Sequence, residues 1–375
     1  MATPLRLFDT ARREVVPFEP GPVVTLYTCG ITPYDAAHLG HAATYLAFDV
    51  LQRRLLDRGH QTRCVRNITD VDDDILRKAR ELGVHYLDLA AEEMGRFDAD
   101  MRALGILSPF AEPRATSAIP DILGFIDQVL RAGYAYQADG AVYFRVGAAP
   151  RFGFLSHLDR PDMLRLAAER GGNPDDPSKA DPLDFVLWQP SGPDEPAWDS
   201  RWGPGRPGWH IECSALAVRE LGATIDLHGG GSDLIFPHHE CEVAQSEAAT
   251  GVAFVRHWMH VEMVCLGGEK MSKSLGNLVF VSDLLKHWEP MVLRLAILAQ
   301  HYRSSWDWRD GLMEEAAERL ASWRLDHPGP GALEEVRARL DDDLDVPGAL
   351  EAIDRAAGAG RGVTEAAALL GVVPG

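Results

Sequence analysis

The sequence contains no long hydrophobic segment. No apolar run among its 375 residues reaches the about 18 residues that a membrane-spanning helix needs. The first residues, Met-Ala-Thr-Pro-Leu-Arg, also lack the apolar core of a secretory signal peptide. We therefore expect a cytoplasmic protein that makes no contact with a membrane.

Cysteine is scarce and shows no paired spacing. There are five cysteines, an odd number, and none belongs to a CxxC motif. Small secreted proteins stapled by disulfides have the opposite pattern, so we expect a reduced protein whose cysteines are free for packing or metal binding. The five are Cys29, Cys64, Cys213, Cys241 and Cys265.

Positive charge is also in short supply. The net charge is −19, and the last 75 residues hold eight Arg, no Lys and fifteen Asp or Glu. A polyanionic partner needs a basic surface, so we expect no nucleic-acid partner, although a locally basic patch elsewhere stays possible. The remaining composition, 46% hydrophobic and 25% charged, is ordinary for a globular enzyme of two or three packed units.

A thiol, two imidazoles and a glycine turn lie where a predicted strand gives way to a helix. The apolar run 23–27 predicts a buried strand, and residues 44–57 repeat leucine and valine at helical spacing. Between them stands Cys29-Gly-Ile-Thr-Pro-Tyr-Asp-Ala-Ala-His38-Leu-Gly40-His41. Open α/β sheets bind ligands at this position, where free helix N–H groups can face phosphates.

The chain continues as alternating strands and helices. Residues 61–68 predict a second strand that ends in polar residues, and helices are expected over about 74–104 and 114–132. This order favours a parallel α/β sheet. From about 134 to 205, short strands alternate with stretches rich in Gly, Pro and Asp, which indicates an insertion. It carries the run Glu169-Arg-Gly-Gly-Asn-Pro174, whose role periodicity does not reveal.

The sheet is expected to resume at Trp209–Cys213, read as a strand, followed by a helix and a strand at 224–227. A glycine-hinged loop then holds Lys270-Met-Ser-Lys273-Ser. Beyond 281 the apolar spacing predicts a small helical bundle. We therefore expect a Rossmann-like catalytic domain over residues 1–280, with the insertion at about 134–205, and a helical domain over 281–375.

The motifs HxGH and KMSKS carry the first resemblance. Alone, the histidines suit a packed helix start and the lysines a solvated loop. Together, at opposite ends of a parallel α/β domain, they resemble the signature of class I aminoacyl-tRNA synthetases. That resemblance implies a fold with a parallel sheet, ATP as substrate with Mg²⁺, and catalytic roles for His38, His41, Lys270 and Lys273, which would stabilise charge as pyrophosphate leaves.

A metal site is suggested by residues from three distant segments. His238 and Glu242 are four apart on a predicted helix, and Cys29 and Cys213 are expected at strand ends, but spacing alone does not establish a site. The blocks CGxTxYDxxHxGH, GWHIECSA and GGGSDLIFPHHE resemble cysteinyl-tRNA synthetases, in which the equivalent four residues hold Zn²⁺. The resemblance implies one Zn²⁺ here, which would bind a substrate thiolate and reject serine's hydroxyl.

Further features resemble the cysteine ligases of mycothiol biosynthesis. These are the opening CGITPYD with HLGHAATYL, an ERGGDP motif met by Glu169–Pro174 with Asn173 in place of Asp, and a late DDLDxPxAL segment. The resemblance implies ligation of L-cysteine to the amine of glucosaminyl-inositol through cysteinyl-AMP, by a monomer. We also expect no anticodon-binding domain. The alternatives are a truncated cysteinyl-tRNA synthetase and a non-catalytic sensor of cysteine or nucleotide.

The same resemblance implies a set of contacts with cysteinyl-adenylate. It leaves open whether Glu242 is a ligand or only supports His238, because the ligase family often has a non-ligand there. It also leaves open the base for the acceptor amine, for which Asp233 or a histidine are candidates. The implied contacts are Cys29, Gly30, Ile31, Thr32, Thr44, Asn67, Ile68, Thr69, Trp209, Gly231, Ser232, Asp233 and Val264.

Overall fold

The computed structural model describes residues 4–272, 275–324 and 331–374. In chain order the strands are β1 (Arg6–Asp9), β2 (Glu14–Pro17), β3 (Val23–Ile31), β4 (Gln61–Ile68), β5 (Ala135–Ala138), β6 (Ala141–Phe144), β7 (Phe185–Pro190), β8 (Gly205–Pro207), β9 (Leu227–Gly231), β10 (Trp258–Val261), β11 (Val264–Leu266), β12 (Glu269–Lys270) and β13 (Trp306–Asp307). The helices are α1 (Leu39–Asp57), α2 (Asp73–Leu82), α3 (Tyr86–Ala103), α4 (Ile119–Arg131), α5 (Arg160–Glu169), α6 (Trp209–Leu221), α7 (Glu240–Thr250), α8 (Val281–Leu284), α9 (Pro290–Leu298), α10 (Gly311–Trp323), α11 (Leu333–Leu340), α12 (Val346–Gly358) and α13 (Thr364–Leu369).

A parallel sheet forms the central layer, which confirms the predicted α/β class. Its strand order is β10-β9-β3-β4, and every neighbouring pair is parallel. The carboxyl ends of β3, β4 and β9 therefore meet at one edge of the sheet. The ladder between β3 and β4 is irregular between Thr28 and Ile31, at Cys29 and Gly30. Such irregularities re-aim side chains and recur beside active sites.

Helix α1 begins inside the histidine motif because the motif caps it. His38 accepts a hydrogen bond at Nδ1 from the Gly40 N–H (3.1 Å), and the His38 N–H donates to His41 Nδ1 (3.4 Å). The two side chains satisfy N–H groups that the first helical turn leaves without partners. A Cβ on Gly40 would lie 2.9 Å from the His38 ring, so this cap requires glycine.

The segment Trp209–Cys213 is helical, so its prediction as a strand is wrong. It forms the start of α6, which runs to Leu221. Cys213 therefore projects from the second turn of a helix and not from a strand end. The helix predicted over 74–104 is likewise two helices, α2 and α3, separated where Gly83 takes a left-handed conformation (φ +67°).

An inserted unit with its own sheet lies between α4 and α6. Strands β5, β6, β7 and β8 pair antiparallel in that order. Its apolar side chains form one buried cluster with residues of α4, α6 and Phe236, so the unit packs directly on the segment before α7. The domain boundaries expected from the sequence stay a prediction.

The C-terminal helices pack on α1 through apolar side chains and buried ion pairs, which include Arg54–Asp341 and Asp49–Arg294. Arg294 and Asp49 are both fully buried and form a salt bridge, and Arg294 also donates to the carbonyls of Leu370 and Leu104 (2.8 Å each). This guanidinium joins α1, the end of α3 and the segment after α13.

None of the described helices is long and apolar enough to span a membrane.

Candidate active site

Four predicted metal ligands meet in the structure. Cys29 at the end of β3, Cys213 on α6, His238 and Glu242 are all buried, and their ligand atoms lie within 4.8 Å of one another. His238 belongs to a turn, Ile235–His239, that leads directly into α7, which carries Glu242. Residues far apart in the chain are thus brought together at the carboxyl edge of the sheet.

The spacing of these atoms suits a tetrahedral ion. Zinc bonds of about 2.3 Å to sulfur and about 2.0–2.2 Å to nitrogen or oxygen place tetrahedral ligand atoms about 3.4–3.8 Å apart. The Cys29 and Cys213 sulfurs are 3.9 Å apart and Cys29 Sγ is 3.4 Å from Glu242 Oε1, both close to these values. That oxygen is 3.0 Å from His238 Nε2, a hydrogen-bond distance that would lengthen by a few tenths of an ångström around an ion. Two thiols, an imidazole and a carboxylate are also donors that zinc accepts. The residues present therefore fit the ion.

The charges in this cluster favour metal binding. Burial raises the pKa of Cys213, but the hydrogen bond from Cys29 and the positive charge on His238 lower it to about 6. Burial likewise raises the pKa of Glu242, whereas the His228 and His238 charges bring it down to about 2. Burial and the neighbouring Cys213 raise the pKa of Cys29 well above its usual range. Burial lowers the pKa of His238, but the Cys213 and Glu242 charges raise it to about 10. The cluster thus offers two anionic ligands, and Cys29 and His238 each release a proton when they bind an ion.

Sequence reasoning missed three histidines in and around this cluster. His239 Nε2 lies 3.2 Å from Cys29 Sγ, and His228 Nε2 lies 3.0 Å from Glu242 Oε2. Cys29, His228, His239 and Glu242 form a second, overlapping set of close ligand atoms. His210 Nδ1 lies 2.9 Å from His238 Nδ1, on the ring edge away from Glu242. In the sequence, His238 and His239 are adjacent, and this pair was the one available signal that His239 is also a candidate ligand.

The predicted nucleotide-binding residues line the same edge of the sheet. The Gly30 N–H donates to Asn67 Oδ1 (2.8 Å), and Asn67 Nδ2 donates to Thr69 Oγ1 (3.1 Å), so β3 and β4 end in one hydrogen-bonded group. Ile31 and Ile68 are paired in the ladder, and Thr32 Oγ1 donates to Asp72 (3.4 Å). These contacts fix the backbone at the strand ends.

The remaining predicted contacts come from α1, α6 and the turn after β9. Thr44 Oγ1 donates to the Gly40 carbonyl (3.0 Å) and lies near Gly231. Trp209 stacks on the His238 ring at 4.2 Å between centroids, which links this side chain to the metal cluster. Ser232 Oγ donates to Glu262 (3.1 Å), whereas Val264 is buried at the start of β11.

The loop that begins at Lys270, here called the lysine loop, contacts both the turn after β9 and the start of α1. Lys270 Nζ forms a salt bridge of 3.1 Å with Asp233. Asn277 accepts from the Ser272 N–H (2.8 Å) and donates to the Lys270 carbonyl (3.2 Å), a closing contact that the sequence analysis missed. The Leu39 N–H donates to the Val279 carbonyl (3.0 Å), which joins the end of the loop to the start of α1. Lys273 lies outside the described residues.

Comparison with known proteins first defines the class. The family model for the class I (C) tRNA synthetase catalytic domain matches residues 15–318. Mycobacterium tuberculosis methionyl-tRNA synthetase in complex with methionyl-adenylate shares the fold with a TM-score of 0.66 at 19% identity, over 90% of this chain and 82% of that chain. A putative arginyl-tRNA synthetase from Campylobacter jejuni gives a TM-score of 0.56 at 11% identity, over 94% and 93% of the two chains. The fold is that of a class I synthetase catalytic domain.

Curated relatives then define the family. A protein of Thermobispora bispora is 51% identical over 94% of this chain and 89% of its own length, and one of Streptomyces avermitilis is 51% identical over 94% and 88%. A third, from Acidothermus cellulolyticus, is 49% identical over 93% and 88%. All three are named L-cysteine:1D-myo-inositol 2-amino-2-deoxy-alpha-D-glucopyranoside ligase. The chain belongs to this ligase family and is an ATP-dependent, amide-forming enzyme.

Proposed function

We propose that this enzyme joins L-cysteine to the amine of glucosaminyl-inositol, through cysteinyl-AMP and with release of AMP and pyrophosphate, as a step of mycothiol biosynthesis. The observation that carries the cysteine specificity is the buried set Cys29, Cys213, His238 and Glu242 beside the strand ends. The acceptor is taken from the names of the curated relatives. All five cysteines are free thiols, which supports action in the reducing cytoplasm. We propose that it acts there as a monomer.

The four side chains would hold one Zn²⁺, with Glu242 as a direct ligand. When bound, the ion supplies a soft Lewis acid that takes a thiolate in preference to a hydroxyl. His210 and His228, on the outer sides of His238 and Glu242, would orient these two ligands. A site built for a thiol can reject serine by binding alone.

In the first step, a carboxylate oxygen of cysteine attacks the α-phosphorus of ATP, and the bond from that phosphorus to the pyrophosphate oxygen breaks. His38 and His41 at the capped start of α1, with Lys270 and Lys273, would stabilise the charge that develops on the phosphoryl oxygens. Mg²⁺ would accompany the nucleotide.

In the second step, the neutral acceptor amine attacks the acyl carbon and AMP leaves. The proton lost by the amine passes to a base, for which Asp233 and a histidine are the candidates. Asp233 lies where the lysine loop and the turn after β9 meet. The strand-end group Asn67 and Thr69, with Trp209, would surround the adenylate between the two steps.

The test is to incubate the enzyme with ATP, labelled cysteine and either glucosaminyl-inositol or tRNA, and to search for labelled amide and labelled tRNA. We expect the amide alone, with little change between about 50 and 200 mM salt, because an acceptor with one amine and many hydroxyls carries no phosphates for the enzyme to neutralise. Efficient labelling of tRNA with no amide would instead establish a tRNA-charging enzyme. AMP formation with neither product would refute the proposed acceptor.

A further inference from the structure

The run Glu169–Pro174 of the inserted unit reaches the candidate metal site through Arg170. This residue is the C-cap of α5, and its guanidinium lies against the segment that carries His238. One Nη1 group donates hydrogen bonds to the carbonyls of both Asp233 and Phe236. An exposed helix end in the insertion therefore holds the backbone immediately before a predicted metal ligand.

The rest of the run fixes the turn that presents Arg170. Gly171 is left-handed (φ +81°), as is Asn173 (φ +42°), a conformation that glycine and asparagine tolerate best. A Cβ on Gly172 would lie 2.9 Å from the Ala167 carbonyl oxygen, to which the Gly172 N–H already donates (2.8 Å). Lys179 Nζ donates to the Gly172 carbonyl from the other side. The turn is thus restrained before Arg170 makes its contacts.

A second contact holds the same segment from its other end. The Glu240 carboxylate, 1% exposed, accepts backbone N–H groups of Gly153 (2.9 Å), Leu155 (3.2 Å) and Ser156 (2.8 Å). Glu240 stands between His238 and Glu242 in the chain, and its amide partners all belong to the inserted unit. The inserted unit thus donates a guanidinium to the backbone carbonyls before His238, and backbone N–H groups to the Glu240 carboxylate after it.

We infer that Arg170 and Glu240 are positioning residues, through which the inserted unit sets the placement of Asp233, His238 and Glu242. The inference rests on the proposed function for its consequences in cysteine binding, but the contacts themselves are independent of the acceptor. Glu169–Pro174 is then a structural signature of the metal site, although none of its residues is a ligand.

The experiment compares Arg170→Met and Arg170→Lys with Arg165→Met. Arg165 is an exposed residue of the same helix, and its salt bridges are with Asp162 and Glu169. Hydrogen exchange of residues 232–242 in the protein without substrates reports the placement directly. Zinc affinity, by competition with a chelator, and the KM values for cysteine and ATP report its consequence.

For Arg170→Met we expect faster exchange over 232–242 and zinc affinity lower by about 10–100-fold, as for other residues that support metal ligands. The KM for cysteine should rise, with a smaller rise in the KM for ATP because Asp233 is also displaced. Arg170→Lys should recover part of each loss, because an ammonium can still donate to these carbonyls. Arg165→Met should match the wild type.

Unchanged exchange and zinc affinity in folded Arg170→Met would overturn the inference. Should that variant not fold, Arg170→Lys and Glu240→Gln decide by the same two measurements. Altered exchange in an enzyme that makes no glucosaminyl-inositol amide would leave the inference standing and refute the proposed acceptor.

Discussion

At the scale of single residues, Gly30 shows how closely the strand that carries Cys29 meets its neighbour. A Cβ at this position would lie 1.5 Å from the Asn67 carbonyl oxygen, so no side chain fits without separating β3 from β4. The same glycine donates to Asn67 Oδ1. Glycine is thus needed here for close approach of two backbones.

We predict that Gly30→Ala destabilises the protein by about 1–3 kcal/mol, as overpacking does, and strongly reduces adenylate formation because the strand ends move apart. Urea unfolding and cysteine-dependent ATP–pyrophosphate exchange measure the two effects. Gly21→Ala is the matched control, since a Cβ there meets no atom within 4 Å. Wild-type exchange activity in Gly30→Ala would contradict the account.

The metal ligands are also tested residue by residue. We predict about one zinc per chain in the purified enzyme, and loss of most of it in Cys29→Ser and Cys213→Ser, because a hydroxyl replaces a thiolate ligand. Glu242→Ala should lower zinc affinity by more than about 100-fold, because loss of a residue that only supports a ligand costs about 10–100-fold. Zinc content by atomic spectroscopy and chelator competition are the measurements.

Cys265→Ser serves as the control for these variants, since Cys265 is half-buried near Ser305 and belongs to neither ligand set. His239→Gln distinguishes the two sets. Retention of zinc in that variant assigns the ion to Cys213 and His238. Its loss, with zinc kept in Cys213→Ser, would assign the ion to His228 and His239.

At the scale of elements, the lysine loop is fixed at both flanks. Ser272 donates to Asn277 before the KMSKS segment ends, and the Val281 N–H donates to the Ala37 carbonyl (3.0 Å) after it. The loop therefore connects the start of α1 with the strand β12, which carries Lys270. Movement of either flank would displace Lys270 relative to His38 and His41.

We predict that Lys273→Ala slows adenylate formation much more than it weakens cysteine binding, because its charge acts as pyrophosphate departs. Rapid-quench measurement of pyrophosphate release provides the rate. Lys286→Ala, an exposed lysine of the segment after α8 paired with Asp283, is the control. A normal rate combined with poorer cysteine affinity would assign Lys273 to substrate binding.

Strands and helices could be predicted from the sequence where one pattern of apolar residues extends over many positions. The prediction failed where the pattern is short. The apolar run of β3 and the alternating pattern of β4 both indicate strands, and neither has a competing interpretation. Trp209–Cys213 alternates apolar and polar residues over only five positions, which a helix start can imitate. His228, His239 and His210 were missed because their partners arrive from other elements, and no local spacing encodes such a contact. The four predicted ligands were found through resemblance to a family and not through spacing.

At the scale of the whole molecule, the Asp49–Arg294 pair unites the nucleotide-binding half with the C-terminal helices. Asp49 also accepts from Arg53 Nε (2.8 Å) and from the Leu107 N–H (2.8 Å), so both of its carboxylate oxygens have partners. Arg294 adds the two carbonyl contacts at the ends of α3 and α13. A buried charge with this many partners is costly to disturb from either side.

We predict that Arg294→Met lowers the free energy of unfolding by about 3 kcal/mol, near the lower limit for breaking a buried pair, because Arg53 still faces Asp49. Denaturant titration followed by tryptophan fluorescence measures the change. Arg319→Met, which removes a partly exposed pair with Asp354, should cost about 0–1 kcal/mol. Equal losses in the free energy of unfolding would show that the buried pair stabilises the protein no more than the partly exposed pair does.

The distribution of the metal ligands along the chain has a consequence for folding. Cys29 and Cys213 are separated by 184 positions, and the chain between them forms the second strand of the sheet and the whole inserted unit. Contacts so remote in sequence form slowly, since long loops must close first. Zinc uptake during refolding should therefore occur late, at the time when the tertiary structure is completed. Zinc added to the refolding buffer should leave the rates of the early refolding phases unchanged.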